Sequence, residues 1–166
     1  RTLQADFPYV KGDVIDAAVG LEPNEYLGQL RVSVLLKNIK LHDMVEDDLF
    51  VSMRDFSMLM RGKSEGFDAS LLVPQRETTA KVYRYIRSVG RWNYDTETLC
   101  HRLDFWAEDY GQVAVSVEAM LEMGILIRDE NGGLSAPKTS EKVNLQDAPV
   151  LKRLRQHLTT GECELP

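Results

Sequence analysis

The reading of this 166-residue chain turns on the stretch Glu77-Thr-Thr-Ala-Lys-Val-Tyr-Arg-Tyr-Ile-Arg-Ser-Val-Gly-Arg-Trp-Asn-Tyr94. Val82, Tyr85, Ile86 and Val89 recur at helical spacing, so residues 77–89 are expected to form a helix with these four inward and Gly90 closing it. Trp92-Asn93-Tyr94 then reads as a short extended step, and Asp95 or Thr96 as the cap of a second short helix running through Leu103.

Downstream, a third helix is expected from about Tyr110 to Met123, with Val113, Val117, Met120 and Leu121 on its apolar stripe and Gly124 ending it. Ile125 to Arg128 reads as a strand, Asn131-Gly132-Gly133 as a tight turn, and Leu134 to Ala136 as the returning strand. Helix, short strand, helix, helix, hairpin is the order of a winged helix-turn-helix. Asp147 and Pro149 start a last helix to Leu158, expected to pack beside it.

Upstream the period changes to two. Ile15, Ala17, Val19 and Leu21 alternate with Asp16, Ala18 and Gly20, and Leu30, Val32, Val34 and Leu36 share one face of a second strand. Arg31, Ser33, Leu35 and Lys37 take its other face. Pro23, Asn24 and Gly28 lie between the two runs, which together read as a β-hairpin. A lone hairpin is marginal in water, so further strands are expected to cover it. Between hairpin and basic stretch, Leu49, Phe50, Met53, Phe56 and Met60 predict an amphipathic helix ended by Gly62. The fold class is therefore α+β. Three regions are expected: a hairpin over 1–43, a connecting helix and loop over 44–75, and a helical domain over 76–166.

Composition excludes several classes of function. Hydrophobic residues make up 43% and charged residues 28%, the balance of a folded globular chain, and no apolar run approaches the roughly 20 residues of a membrane helix. Without a secretory signal the expected location is cytoplasmic. The chain starts at Arg1 and not Met, so it is expected to be a segment of a longer one. Cys100 and Cys163 are far apart and His42, His101 and His157 are scattered, which gives no metal-ligand or disulfide framework. Phosphate-binding glycine loops, nucleophile elbows and zinc-protease motifs are absent, and no residue is assigned a catalytic role.

Net charge is −6, which as a single figure argues against nucleic acid. Its distribution is uneven: residues 76–94 carry five cations and one carboxylate, whereas residues 95–131 carry two cations and nine carboxylates. Lys81, Arg84, Arg87 and Arg91 fall within a stripe about 120° wide on a helix. Tyr83, Trp92 and Tyr94 lie close by in sequence, and single strands bind where cations follow phosphates and rings stack on bases. The same residues also fit a solvated face paired with the acidic stretch, with Trp92 and Tyr94 in the core. On the hairpin, Arg31, Lys37, Lys40 and Tyr26 could border a strand-binding groove or form an ordinary solvated face. From Trp106 to Met123 the chain offers Glu108, Asp109, Glu118 and Glu122 with only Gln112 as a base reader and no cation, which disfavours duplex recognition by the third helix.

The run from Lys11 to Lys40 resembles the closing part of the OB-fold in RecJ-type single-strand-specific DNA exonucleases, members of the DHH phosphoesterases. Gly12, Asp13, Asp16, Asn24, Tyr26, Gly28 and Ile39 match that pattern, and Asn38 stands where the family usually has Asp. Val73-Pro74-Gln75-Arg76-Glu77 with Val82-Tyr83-Arg84-Tyr85, Leu121 to Ile125, and Lys142 to Leu145 with Leu151 to Leu154 are similar to the C-terminal region of its Firmicutes-type members. The family's Mn²⁺ or Mg²⁺ is held by Asp and His clusters in an N-terminal core, and neither an Asp-His-His nor a Gly-Gly-His motif occurs in this chain. The resemblance therefore implies a noncatalytic C-terminal portion: part of an OB-fold followed by a winged-helix-like domain, without a cofactor of its own. Expected roles are single-stranded DNA binding through Tyr26, Arg31, Lys37, Lys40, Lys81, Arg84, Arg87 and Arg91, or docking of DNA-repair proteins, with a homodimer conceivable through the open hairpin edge. The rival expectation is a winged-helix interaction module that contacts proteins and no nucleic acid.

Overall fold

The computed structural model describes residues 9, 11–26, 28–42, 46–63, 65–137 and 143–161, which fall into two compact units, residues 1–44 and 45–166. Among the described residues the architecture is mixed α+β: a long two-stranded hairpin and five α-helices with a second, very short hairpin.

In the first unit, strands β1 (Ile15–Tyr26) and β2 (Gln29–Leu41) pair antiparallel. The strands are longer than the alternation alone indicated: pairing continues to Tyr26 and Gln29, so Pro23 and Asn24 lie within β1 opposite Val32 and Arg31. Proline is tolerated there because each strand of a two-stranded ribbon is an edge. The register slips between Ala18 and Val19, where Val19 pairs with Leu36 but Ala18 pairs with Asn38. This bulge answers a phase change in the sequence: apart from Leu35, the apolar positions of β2 are even-numbered from Leu30 to Leu36 and odd-numbered at Ile39 and Leu41. One extra residue returns Ile39 to the face of Leu36, opposite Ala17. That face remains open, with Leu21, Leu30, Val32 and Val34 all more than 60% exposed.

The second unit is built around α4 (Tyr110–Glu122), which touches two cores. Val113, Val117 and Met120 join one core with Val82, Ile86, Trp92, Leu99 and Leu126. Val115 and Ala119 join the other with Leu59, Leu72, Val150 and Leu154. The first core comes from α2 (Arg76–Val89), α3 (Thr96–Arg102) and the short strands β3 (Ile127–Arg128) and β4 (Leu134–Ser135). The second comes from α1 (Glu46–Met60), a 3-10 turn at Ala69–Leu72 and α5 (Pro149–Gly161).

Local chemistry explains the element ends. Gly90 closes α2 at φ 78°, a left-handed conformation that costs a residue with a Cβ 1–2 kcal/mol by order of magnitude. Asp95 caps α3, its side chain accepting the Thr98 N–H at 2.7 Å. Trp92 and Leu134 exchange both backbone hydrogen bonds, at 2.8 and 2.7 Å, so the extended step adds a bridge to the β3–β4 pair.

Two apolar stripes differ from the reading by periodicity. On α1, Leu49, Ser52, Asp55 and Leu59 face inward while Phe50 and Met53 are exposed. Ser52 and Asp55 hold inner positions because both have partners there: Ser52 accepts from Gly111 N–H, and Asp55 accepts from Arg54 at 2.7 and 2.9 Å. On α2, Val89 is exposed because the chain turns away at Gly90.

Candidate nucleic-acid interface

Four of the expected contact residues lie on the hairpin and four on or just beyond α2. On the hairpin, Arg31 stands opposite Asn24, Tyr26 opposite Gln29 and Lys40 opposite Asp16 in the register. Arg31 is exposed and its guanidinium donates to Gln29 Oε1 at 3.4 Å. Lys37 is the extra residue of the bulge, and its stem crosses Gly20: a Cβ built on that glycine would meet Lys37 Cε at 3.0 Å. Glycine at 20 thus leaves the lane along which Lys37 lies.

On α2 the four cations separate into two pairs. The Lys81 ammonium donates to the Leu103 carbonyl and sits 4.6 Å from the centroid of the Phe105 ring, so it ties α2 to the end of α3. Arg91 lies beyond the helix and pairs with Asp129 at 2.7 Å. Asp129 in turn accepts the N–H groups of Asn131 and Gly133, at 2.9 and 3.1 Å, which makes Arg91 a clamp on the β3–β4 turn. Gly133 lies directly under that clamp, where a built Cβ would come within 2.6 Å of Arg91 Nε.

Arg84 and Arg87 are exposed. Arg84 Nε donates to the Ala80 carbonyl at 3.1 Å, and neither arginine makes an ion pair among the described residues. They flank the outward side of α2 with Arg76, which begins the helix, and with half-buried Tyr83. Arg76 belongs to the basic stretch but stands one residue ahead of the helix expected from periodicity. Its 7-residue spacing from Tyr83, close to two helical turns, is the signal that places the two on one side.

The aromatic residues divide as well. Trp92 is 5% exposed, meets Tyr85 and Tyr94 edge to face at 5.6 and 5.0 Å between centroids, and donates its indole N–H to the Asp95 carbonyl. Trp92 is therefore a packing residue, and Tyr83 and Tyr94 are both half-buried against the same core, with Tyr83 next to Arg84 in α2.

Electrostatics adds little reactivity. Burial pushes the Cys100 thiol up to about 12, with the carboxylates of Asp109, Glu97 and Asp95 acting the same way, so the thiol stays protonated and inert at neutral pH. Burial likewise raises the Tyr110 hydroxyl. No group of three His, Cys, Asp or Glu side chains that could hold a metal ion converges among the described residues. No helix among the described residues is long and apolar enough to cross a membrane. Comparison with protein-family models, curated proteins and solved structures finds no match to this chain.

Proposed function

We propose that this chain is a noncatalytic portion of a RecJ-like single-strand-specific DNA exonuclease, holding the strand or docking a repair partner while another part of the enzyme cuts. In this reading residues 15–41 are the closing hairpin of an OB-fold and residues 76–136 a winged-helix variant. Any nuclease activity, metal and cytoplasmic setting belong to the whole enzyme. The observation that carries the proposal is the pair Arg84 and Arg87, held outward on α2 without carboxylate partners among the described residues, beside Tyr83. Cations tracking phosphates next to a ring are what sequence-tolerant strand binding requires. The uncovered apolar face of the hairpin supports the OB reading, because further barrel strands would bury it.

Fluorescence anisotropy of labelled single-stranded and duplex DNA across a salt series tests this. Weak, salt-sensitive binding that prefers the single strand is expected. Absence of binding at low salt would falsify the strand-contact role.

A second reading rests on α4. In a winged-helix DNA reader the third helix enters the major groove, but here Val113, Ala114, Val115, Val117, Ala119 and Met120 are all buried. A helix with a core on two sides has little surface to present to a groove. That enclosure favours a protein-interaction module, which would bind neither form of DNA in the same titration.

A further inference from the structure

We propose that the helical unit binds a small amphiphilic anion, an apolar chain carrying a carboxylate head, in the cleft between α2 and α5. This inference shares Arg76 and Tyr83 with the basic side of α2 but does not rest on the DNA reading. The cleft encloses about 650 Å³, a volume typical of small-molecule sites, which span roughly 300–1,000 Å³. One wall is Arg76, Thr79, Ala80 and Tyr83 of α2, and the other is Leu151, Leu154, Arg155 and Leu158 of α5. Both sets have the i, i+3, i+4, i+7 spacing of a single helix face. Ala119 and Met120 of α4 form the floor.

Each wall is two turns long, about 10 Å at 1.5 Å per residue. That length suits an alkyl chain of medium size. A partner helix needs about 12–15 residues, roughly 20 Å, to be stable on its own, and would overhang the cleft.

The lining's hydroxyls and charges indicate the ligand's chemistry. Thr79 and Ser116 bond each other at 2.9 Å, and Ser116 donates to the Gln112 carbonyl at 2.8 Å, so these hydroxyls ask nothing of an occupant and the body of the cleft is apolar in effect. Among the described residues, the charged ones on the lining are Arg76 and Arg155, with no carboxylate beside them. Arg155 donates from Nε to the Leu151 carbonyl at 3.2 Å and from Nη2 to the Gln146 carbonyl, which fixes the guanidinium plane and leaves further N–H donors unspent. Arg76 makes no ion pair among the described residues and stands on the facing wall. Two guanidinium groups without a carboxylate, at an apolar cleft, are complementary to one anionic head on an apolar tail.

Isothermal titration of the full chain with decanoate, decanol and acetate tests the assignment. Saturable one-to-one binding of decanoate is expected, with decanol at least tenfold weaker and acetate undetectable. Arg76→Gln combined with Arg155→Gln should reduce decanoate to the level of decanol. Ala80→Phe, which fills the cleft from α2, should abolish both, with circular dichroism verifying the fold. If that variant does not fold, the double arginine variant carries the test alone. Arg84→Glu with Arg87→Glu should leave decanoate affinity within twofold. The exposed hairpin face is the competing apolar surface: if Val32→Thr with Val34→Thr removes decanoate binding, or if folded wild-type protein shows no saturation, the assignment fails.

Discussion

Ser52 of α1 accepts the backbone N–H of Gly111 in the first turn of α4 at 2.8 Å and donates its own proton to the Glu108 carbonyl at 3.0 Å, bridging two helix regions 59 residues apart in sequence. The hydroxyl thereby satisfies one of the N–H groups that a helix start leaves unpaired. Gly111 is what lets the Ala69–Leu72 turn and α1 approach so closely: a Cβ there would collide with Leu72 Cδ2 and lie 3.1 Å from Ser52 Oγ. Ser52→Ala strands a buried donor and an acceptor and is expected to cost about 1–3 kcal/mol in urea unfolding. Gly111→Ala should cost a similar amount, about 1–3 kcal/mol, by overpacking. A change below 0.5 kcal/mol in both would mean the bridge is not formed in solution.

Glu122 plays the matching part for α5. Its Oε2 accepts the Val150 N–H at 2.7 Å and its Oε1 faces Arg153 at 3.4 Å, so one carboxylate both caps α5 and pairs with a cation in the following turn. Glu122→Ala should destabilise by about 1–2 kcal/mol, the scale of a lost cap. Glu122→Gln, which keeps an acceptor, should lose less. Chemical denaturation of the three proteins at neutral pH orders them.

Alkaline stability should report on Cys100. Its folded pKa is raised to about 12 from an ordinary 9.0. Below pH 9 the thiol is protonated in both states and stability is unaffected. Between pH 9 and 12 the unfolded chain releases a proton that the folded chain retains, and stability falls by up to about 1.4 kcal/mol per pH unit. Tyr110 adds a loss of the same sign above its ordinary value of 10.0. In Cys100→Ala the decline between pH 9 and 10 should be shallower than in wild type, whatever the offset from the lost volume. Parallel curves would show that the thiol ionises as easily folded as unfolded.

The outward arginines should set the salt dependence of strand binding. Each phosphate contact on a single strand contributes about 0.7 to the slope of log K against log salt. Arg84→Glu with Arg87→Glu should therefore lower that slope by about 1.4 and weaken binding at least tenfold at low salt. Lys81→Gln and Arg91→Gln, whose cations are engaged within the fold, should show up in thermal stability instead. The opposite pattern would move the interface off this side of α2.

The open face of the hairpin should make the chain associate. Exposed apolar patches of this kind mark contact surfaces. Sedimentation velocity over a concentration series should show reversible self-association, and Val32→Thr with Val34→Thr, which keeps β-branching, should shift it toward monomer. A strictly monomeric wild type would show that the face is covered in solution.

Much of this architecture can be read from the residues, and the misses have physical causes. Alternation located the hairpin, but Pro23 and Asn24 look like turn formers and hide several residues of strand. The change of phase between Leu36 and Ile39 is a bulge signal that composition alone does not reveal. On α1, Phe50 and Met53 read as core residues by apolar spacing, yet both are exposed. The inner positions instead belong to Ser52 and Asp55, whose partners at Gly111 and Asp68 come from distant segments that no local pattern announces. The basic stripe on α2 was visible in outline. Which cations are spent inside the fold depends on Leu103, Phe105 and Asp129, and only tertiary structure brings these to Lys81 and Arg91.

Because α4 supplies side chains to both cores, neither can melt while the other stays dry. Loss of α1 or α5 would bare Val115 and Ala119, and loss of α2 would bare Val113 and Val117, in each case from the same rod. The helical unit is thus one cooperative block, and its slowest-exchanging amides should map to α4 and fade together as a single class.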